Sequence, residues 1–226
     1  MQIGGVQKTS LLDFPNKISA IVFTTGCNFR CGYCHNPELI VKGEQVWTVP
    51  ALLDFLKTRQ GKLDGVVITG GEPCLQKDLE EVIKEIKALG FAVKLDTNGS
   101  FPEIIKKLLP FLDYIAMDIK SPLEKYSEIT RVNINTENIR KSIDLIMDSG
   151  IDYEFRTTVV KSQLNFQDFE KIGQLIKGAK RYYLQKFIPS KLLDESLMNE
   201  TSYSNEEFER IIEILKPHIP ATFLRG

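Results

Sequence analysis

The amino-acid sequence predicts an α/β fold in which parallel strands alternate with outer helices. Short apolar segments rich in β-branched residues alternate about six times with amphipathic segments of helical period. Glycine, proline and helix-capping residues separate these segments. With 226 residues, 42% of them hydrophobic, the chain can bury a full core without disulfide bonds, and no linker or repeat divides it. We therefore expect a single domain over residues 1–226.

The predicted strands are short, have a buried pattern and are followed by turns. The first is KISAIVFT, and the second, containing VVIT, runs into a Gly-Gly turn. The strand segments, with the turns that end some of them, are 17–24, 64–73, 91–99, 113–120, 152–160 and 181–187, and 221–225 is a last short candidate.

The predicted helices carry apolar residues at helical spacing, and several carry capping signals. Thr48 is a suitable N-cap, and Ser204 with Glu207 forms a capping box. Gly90 and Gly150 close two of the helices. The predicted helices are 48–59, 78–89, 102–109, 135–150, 165–177 and 204–216.

A doubly wound sheet and a complete or partial barrel both fit this alternation, and periodicity does not choose between them. In either architecture, functional residues lie at the C-terminal ends of the parallel strands. A cysteine-rich loop follows the first strand, and the sequences GGEP, DTNG and DIK end the next three. We expect these four turns to face one cleft.

Charge and hydropathy exclude several classes of function. Lys and Arg number 29 against 30 Asp and Glu, which gives a net charge of −1 and argues against nucleic acid or an anionic membrane surface as a target. The N-terminal segment has no apolar core of signal-peptide length, and no apolar run approaches the length that spans a bilayer. The expected location is cytoplasmic.

Three of the four cysteines, Cys27, Cys31 and Cys34, lie within eight positions. In a reducing compartment this clustering favours a metal or redox site over disulfide bonds. A structural zinc site needs four protein ligands; Cys74 could complete the set, whereas His35 adjoins Cys34 and neighbouring residues rarely reach the same ion. An iron–sulfur cluster needs only three thiolates if an external ligand takes the fourth iron. The residues alone leave both interpretations open.

The cysteine spacing CxxxCxΦC, with Tyr33 as the aromatic residue, resembles the signature of radical S-adenosylmethionine (SAM) enzymes. GGEP alone would indicate only a tight turn. Because it ends the strand that follows the cysteine motif, it resembles the second motif of that family. The resemblance implies a partial (β/α)6-type TIM barrel. It also implies that Cys27, Cys31 and Cys34 hold a 4Fe–4S cluster whose fourth iron is chelated by SAM. These ligands would be the catalytic set, because the cofactors carry the chemistry.

The same match implies roles around the cosubstrate. Tyr33 would lie near the adenine, with His35 continuing that loop. Gly70 and Gly71 would permit close backbone approach. Glu72 belongs to the turn that, in the family, receives the methionine amino group.

The segments LDTNG and AMDIK resemble the activases of glycyl radical enzymes. In some members of that group, the residues matched by Asp96 and Asp118 help bind a monovalent cation, for which oxygen ligands are suitable. Lys120 would reach the cosubstrate carboxylate or ribose, and Arg156 would contact the cosubstrate. The alternatives are Asx-turn chemistry for the two aspartates and a solvent-directed strand-end charge for Arg156.

The segment from Thr9 to Leu39, with DFP at 13–15, resembles the activating proteins of anaerobic ribonucleoside-triphosphate reductases. The resemblance implies an enzyme that cleaves SAM reductively and removes a glycine hydrogen to install a glycyl radical on that reductase. A flavodoxin- or ferredoxin-like protein would supply the electron. Cys74 follows GGEP directly, and we interpret it as a small buried residue and not as a cluster ligand.

Three alternative functions stay open at this stage. The partner could be pyruvate formate-lyase or another glycyl radical enzyme. The chain could be a radical SAM enzyme acting on a small molecule. In a different class, it could be a zinc-stabilised binding module without catalysis.

Overall fold

Strands and helices alternate along the computed structural model, which describes residues 1–41 and 46–226. The strands are β1 Ile3–Ser10, β2 Ser19–Thr24, β3 Gly65–Gly70, β4 Ala92–Thr97, β5 Tyr114–Asp118, β6 Asp152–Val159, β7 Tyr182–Lys186 and β8 Thr222–Arg225. The α-helices are α1 Val49–Lys57, α2 Leu79–Ala88, α3 Pro102–Leu108, α4 Tyr126–Thr130, α5 Thr136–Met147, α6 Phe166–Leu175 and α7 Asn205–Leu215.

The contacts group the chain into two units. The first unit comprises Met1–Asn28, Glu38–Thr97 and Glu103–Ala116. In it, β1 pairs with β2 antiparallel, and β2, β3 and β4 pair in parallel in chain order. Its core is apolar because the central strands are buried on both faces, as parallel strands covered by helices are. Fully buried examples from the strands and helices are Val22, Ile68, Leu95, Leu52, Leu56 and Ile83.

The second unit comprises Phe29–Pro37, Asn98–Pro102 and Met117–Gly226. Here β6, β7 and β8 pair in parallel, again in chain order. Capping boxes start two of its helices: Asn165 with Asp168 begins α6, and Ser204 with Glu207 begins α7. The apolar faces of these helices are buried, through side chains that include Phe169, Ile172, Phe208, Ile211 and Leu215.

The predicted α/β fold with a mostly parallel sheet is confirmed, and all six predicted helices form. The structure adds β1, which sequence reasoning missed because IGGVQKTS lacks a continuous apolar alternation. This strand forms through tertiary pairing, for example Val6 opposite Val22. The short helix α4 was also missed. The single-domain assignment stays a prediction.

No helix among residues 1–41 and 46–226 combines the length and the apolar character needed to span a bilayer.

Candidate functional site

The Gly-Gly turn after β3 packs directly on the backbone that follows β2. Gly71 donates its N–H to the Thr24 carbonyl at 2.9 Å, and Glu72 donates to the Gly26 carbonyl at 2.8 Å. A Cβ on Gly71 would lie 2.2 Å from the Gly26 oxygen, and Gly70 has a φ of +114°. Both positions therefore favour glycine, because a side chain would meet the backbone that follows β2. The predicted role of these glycines beside the cosubstrate stays a prediction.

Glu72 is fully buried and organises this turn. Its Oε1 accepts hydrogen bonds from the Thr97 hydroxyl at 2.7 Å and from the Cys74 N–H at 3.0 Å. Cys74 is itself buried, and its Sγ lies 3.7 Å from the Thr97 hydroxyl. Burial, followed by the charge of Glu72, raises the pKa of the Cys74 thiol well above its ordinary value. These contacts agree with the interpretation of Cys74 as a small buried residue.

Asp96 lies at the end of β4 and is ion-paired. Lys94 Nζ approaches Asp96 Oδ1 to 2.7 Å, and the Lys94 side chain is only 3% exposed. An ammonium group therefore contacts the carboxylate that was predicted to help bind a monovalent cation.

The predicted cluster ligands fall in both units. Cys27 belongs to the first unit, where its N–H donates to the Ile40 carbonyl at 2.9 Å. Cys31 and Cys34 belong to the second unit and form a tight turn, with Cys34 N donating to Cys31 O at 3.0 Å. All four cysteines are free thiols. Within residues 1–41 and 46–226, no group of three or more His, Cys, Asp or Glu side chains is arranged to hold a metal ion. The ligand set stays a prediction.

The aromatic and imidazole groups of the cysteine loop are anchored inside the second unit. The Tyr33 ring is buried, and burial raises its pKa well above the ordinary value. Lys120 Nζ lies 5.9 Å from the Tyr33 ring centroid. His35 stacks on Phe187 at 5.9 Å and lies 3.0 Å from the Ser190 hydroxyl. Partial burial lowers the pKa of His35.

Asp118, Lys120 and Arg156 form a charged trio in the second unit. Asp118 Oδ1 lies 2.9 Å from Arg156 Nε, and Asp118 Oδ2 lies 3.0 Å from Lys120 Nζ. Burial raises the pKa of Asp118, but the guanidinium and the ammonium together outweigh burial and lower it to about 2. Burial lowers the pKa of Lys120, and Asp118 leads the opposing charges that raise it well above its ordinary value. Two cations thus share one carboxylate, and the trio carries a net positive charge.

Sequence reasoning missed two parts of this region. The Tyr126 hydroxyl accepts a hydrogen bond from the Lys120 N–H at 3.2 Å, so it supports the turn after β5. Residues 192–199 lie against the cysteine loop through backbone hydrogen bonds. Neither feature has a local sequence signal, because a tyrosine and a short mixed segment both look ordinary without their tertiary neighbours.

The chemistry of the residues fits the groups implied by the family resemblance. Free thiols suit an iron–sulfur cluster, whose protein ligands are thiolates. The net positive trio suits a carboxylate, which prefers charge-assisted hydrogen bonds.

Comparison with known proteins identifies the family. The model of the radical SAM superfamily matches residues 21–176. The chain is 34% identical, over 233 aligned positions, to a Methanocaldococcus jannaschii protein provisionally named as a glycyl-radical enzyme activating enzyme, covering 99% of this chain and 95% of that protein. It is 33% identical over 125 positions to the pyruvate formate-lyase-activating enzyme of Clostridium pasteurianum, covering 53% of this chain and 52% of that enzyme.

The fold itself has a clear structural counterpart. The crystal structure of Streptococcus suis SuiB bound to its precursor peptide SuiA matches with a TM-score of 0.72 at 12% sequence identity. The match covers 91% of this chain and 48% of the SuiB chain, so this chain spans about half of that protein. With the superfamily match and the full-length relative, the sequence and the fold agree: the chain belongs to the radical SAM superfamily and, within it, to the glycyl-radical enzyme activating enzymes.

Proposed function

We propose that this chain cleaves SAM reductively and installs a glycyl radical on an anaerobic ribonucleoside-triphosphate reductase. The observation that carries the proposal is the similarity to a glycyl-radical enzyme activating enzyme over 99% of the chain, together with three free thiols at CxxxCxΦC spacing. The segment around DFP supports the reductase as partner, through its resemblance to the activating proteins of those reductases. A flavodoxin- or ferredoxin-like donor would supply the electron.

In this proposal, Cys27, Cys31 and Cys34 hold a 4Fe–4S cluster. With SAM bound, the cluster supplies the one-electron reduction that permits removal of a hydrogen atom from glycine. The protein contributes no general base to this step. Its residues bind the two groups, orient them and keep water away.

The charged trio would bind the methionine carboxylate of SAM. Lys120 donates one of its three ammonium N–H groups to Asp118 and keeps two for the carboxylate of SAM. Asp118 would hold Lys120 in position. Glu72 would act through the shape of its turn, because its Oε1 accepts bonds from Thr97 and from the Cys74 backbone. Tyr33 would offer its ring and its hydroxyl to the adenosine, with His35 fixing the loop beside it.

A monovalent cation at Asp96 or Asp118 is the finer cofactor proposal. Each carboxylate has a close cationic partner: Lys94 for Asp96, and Lys120 with Arg156 for Asp118. A potassium ion would have to compete with these side chains. If the cation binds, potassium should increase SAM affinity relative to a tetramethylammonium control, and Asp96→Asn should remove that increase.

The test of the function is anaerobic reconstitution with iron and sulfide. The loaded protein should cleave SAM to 5′-deoxyadenosine after reduction and show a 4Fe–4S electron paramagnetic resonance (EPR) signal that shifts when SAM is added. Each of the three Cys→Ala changes should abolish cleavage, whereas Cys74→Ala, the matched control, should retain it. A zinc-containing protein that leaves SAM intact would contradict the proposal.

Pyruvate formate-lyase is the second candidate partner. The 33% identity to its activating enzyme over about half of the chain favours it. Incubation of the loaded protein with each partner separately, followed by EPR detection of a glycyl radical, distinguishes the two. The proposed reductase should give the radical and the lyase should not.

A further inference from the structure

Residues 192–199, here called the clamp segment, lie against the cysteine loop of residues 29–37 within the second unit. Leu193 N donates to Cys34 O at 3.1 Å, and Asp194 N donates to Gly32 O at 3.0 Å. Two carbonyls of the cysteine loop, at alternate residues, thus receive bonds from consecutive residues of the clamp segment. This pairing restricts the backbone between Cys31 and Cys34.

A side-chain contact reinforces the pairing. The guanidinium of Arg131 forms an ion pair with Asp194 and lies over Gly32. A Cβ on Gly32 would stand 2.7 Å from Arg131 Nη2 and 3.0 Å from Leu197 Cδ1. Gly32 therefore lies between the clamp segment and Arg131, which is the C-cap residue of α4.

Arg131 adopts an unusual backbone conformation to make this contact. Its φ of 56° and ψ of 30° are left-handed, which is uncommon for a residue other than glycine, asparagine or aspartate. The preceding residue, Thr130, accepts a hydrogen bond from the Arg30 N–H at 2.8 Å. The end of α4 thus holds the start of the cysteine loop, and Arg131 extends from there towards its middle.

Asp194 has two separate functions in the clamp segment. One carboxylate oxygen accepts a hydrogen bond from the Ser196 N–H at 2.9 Å and caps the short helix Glu195–Asn199. The other oxygen pairs with Arg131. Asparagine in place of Asp194 would retain the cap acceptor and remove the charge, so the two functions can be separated.

We propose that Arg131 and Asp194 are positioning residues that hold Cys31 and Cys34 in the backbone geometry needed for ligation. They act through the backbone of Gly32 and Cys34, and neither is a ligand. Preorganisation of ligands by a surrounding shell is a general requirement of metal sites. The identity of the metal group rests on the function proposed above, but the ordering of the loop does not.

The test measures loop opening in the apoprotein. Alkylation of Cys34 and Cys31 by iodoacetamide would be followed by mass spectrometry in the wild type, Arg131→Gln, Asp194→Asn and the double variant. Each single change should increase the Cys34 rate about fivefold, as expected for the loss of one stabilising interaction. The Cys34 alkylation rate of the double variant should resemble that of the single variants, because both changes remove the same ion pair. It should not reach the increase of about 25-fold expected for two independent effects. Arg131→Lys, which keeps the charge, should restore part of the protection.

The matched control is Lys171→Gln, which breaks the Lys171–Glu124 ion pair in the same unit. Its Cys34 rate should equal that of the wild type, and buried Cys74 serves as an internal reference in every sample. Equal Cys34 rates in the wild type and in all clamp variants would overturn the proposal, and so would simple multiplication of the single effects.

A second measurement connects the loop to the metal group. In the reconstituted protein, Asp194→Asn should shift the EPR spectrum and the reduction potential of the cluster, whereas Lys171→Gln should not. If the wild type binds no cluster, the proposed function fails, but the alkylation rates still test whether Arg131 and Asp194 order the cysteine loop. If the cluster forms and its spectrum and potential are identical in Asp194→Asn, the positioning role is wrong.

Discussion

The pKa of Asp118 is lowered, and the two cationic side chains beside it explain why. The carboxylate lies within 3.0 Å of both Lys120 Nζ and Arg156 Nε. Its pKa falls from 3.8 to about 2 although burial alone would raise it. The ionised form is therefore favoured in the folded state. The resulting stabilisation is complete above the ordinary pKa of 3.8 and is lost as the pH falls towards 2.

Replacing Asp118 by Asn should remove this pH dependence. Between pH 5 and pH 2, the difference in free energy of unfolding between the wild type and Asp118→Asn should shrink by about 2 kcal/mol. Urea unfolding at several pH values measures it. Asp54→Asn, at an exposed carboxylate on α1, is the control. Parallel curves for the wild type and Asp118→Asn would contradict the assignment.

Gly71 lies too close to neighbouring backbone to accept a side chain without strain. Alanine at this position would place its Cβ 2.2 Å from the Gly26 carbonyl oxygen, a backbone atom with little freedom to move. Overpacking of this kind costs about 1–3 kcal/mol. Gly71→Ala should therefore lose that much stability in urea unfolding. Gly5→Ala is the matched control, because its nearest non-neighbouring atom, Phe23 Cδ2, lies 3.9 Å away; equal stability of the two variants would refute the steric argument.

Among the helices, α6 begins with an N-cap whose contribution to the free energy of unfolding can be measured. The Asn165 side chain accepts hydrogen bonds from the N–H groups of Gln167 and Asp168 at the start of α6. Asn165→Ala should cost about 1 kcal/mol, because two helical N–H groups lose their acceptor. Lys177→Ala, at an exposed position just after the same helix, should change stability by less than about 0.5 kcal/mol. A thermal or urea denaturation series measures both, and an unchanged Asn165→Ala would show that the cap contributes nothing.

Elements with a complete local signal could be predicted from the sequence. Helix α7 combines an apolar face with the Ser204–Glu207 capping box, and β3 combines a β-branched run with a Gly-Gly turn. Strand β1 could not be predicted, because its stability comes from pairing with β2. Helix α4 spans only five residues, too few for a periodic pattern.

The candidate site divides in the same way. Cysteine spacing and GGEP are local patterns, so the sequence located them. Lys94 and Asp96 are two positions apart on β4, and that spacing alone places them on one face of the strand. Arg156 and Asp118, in contrast, are 38 positions apart, so the sequence could not indicate that they pair. The clamp segment was invisible for the same reason, since Asp194 and Arg131 are separated by 63 positions.

At the scale of the whole molecule, metal binding should stabilise the fold. A ligand that binds the folded chain and not the unfolded chain raises the free energy of unfolding. The melting temperature should therefore be higher in the reconstituted protein than in the apoprotein. Cys27→Ala, Cys31→Ala and Cys34→Ala should each abolish that difference, and Cys74→Ala should preserve it. Anaerobic scanning calorimetry of the paired samples measures the difference; its persistence in Cys31→Ala would exclude Cys31 as a ligand.

The backbone bond from Leu193 to Cys34 has a consequence for the order of events during translation. Cys34 is synthesised about 160 residues before Leu193, which donates the hydrogen bond to it. At the usual rates of synthesis, this interval is roughly 10–30 seconds. During that interval the cysteine loop lacks the clamp segment, and its thiols are open to oxidants and to competing metal ions. If the clamp segment positions the cluster ligands as proposed above, correct loading of the cluster follows the emergence of residues 192–199, and the nascent thiols have to stay reduced until then.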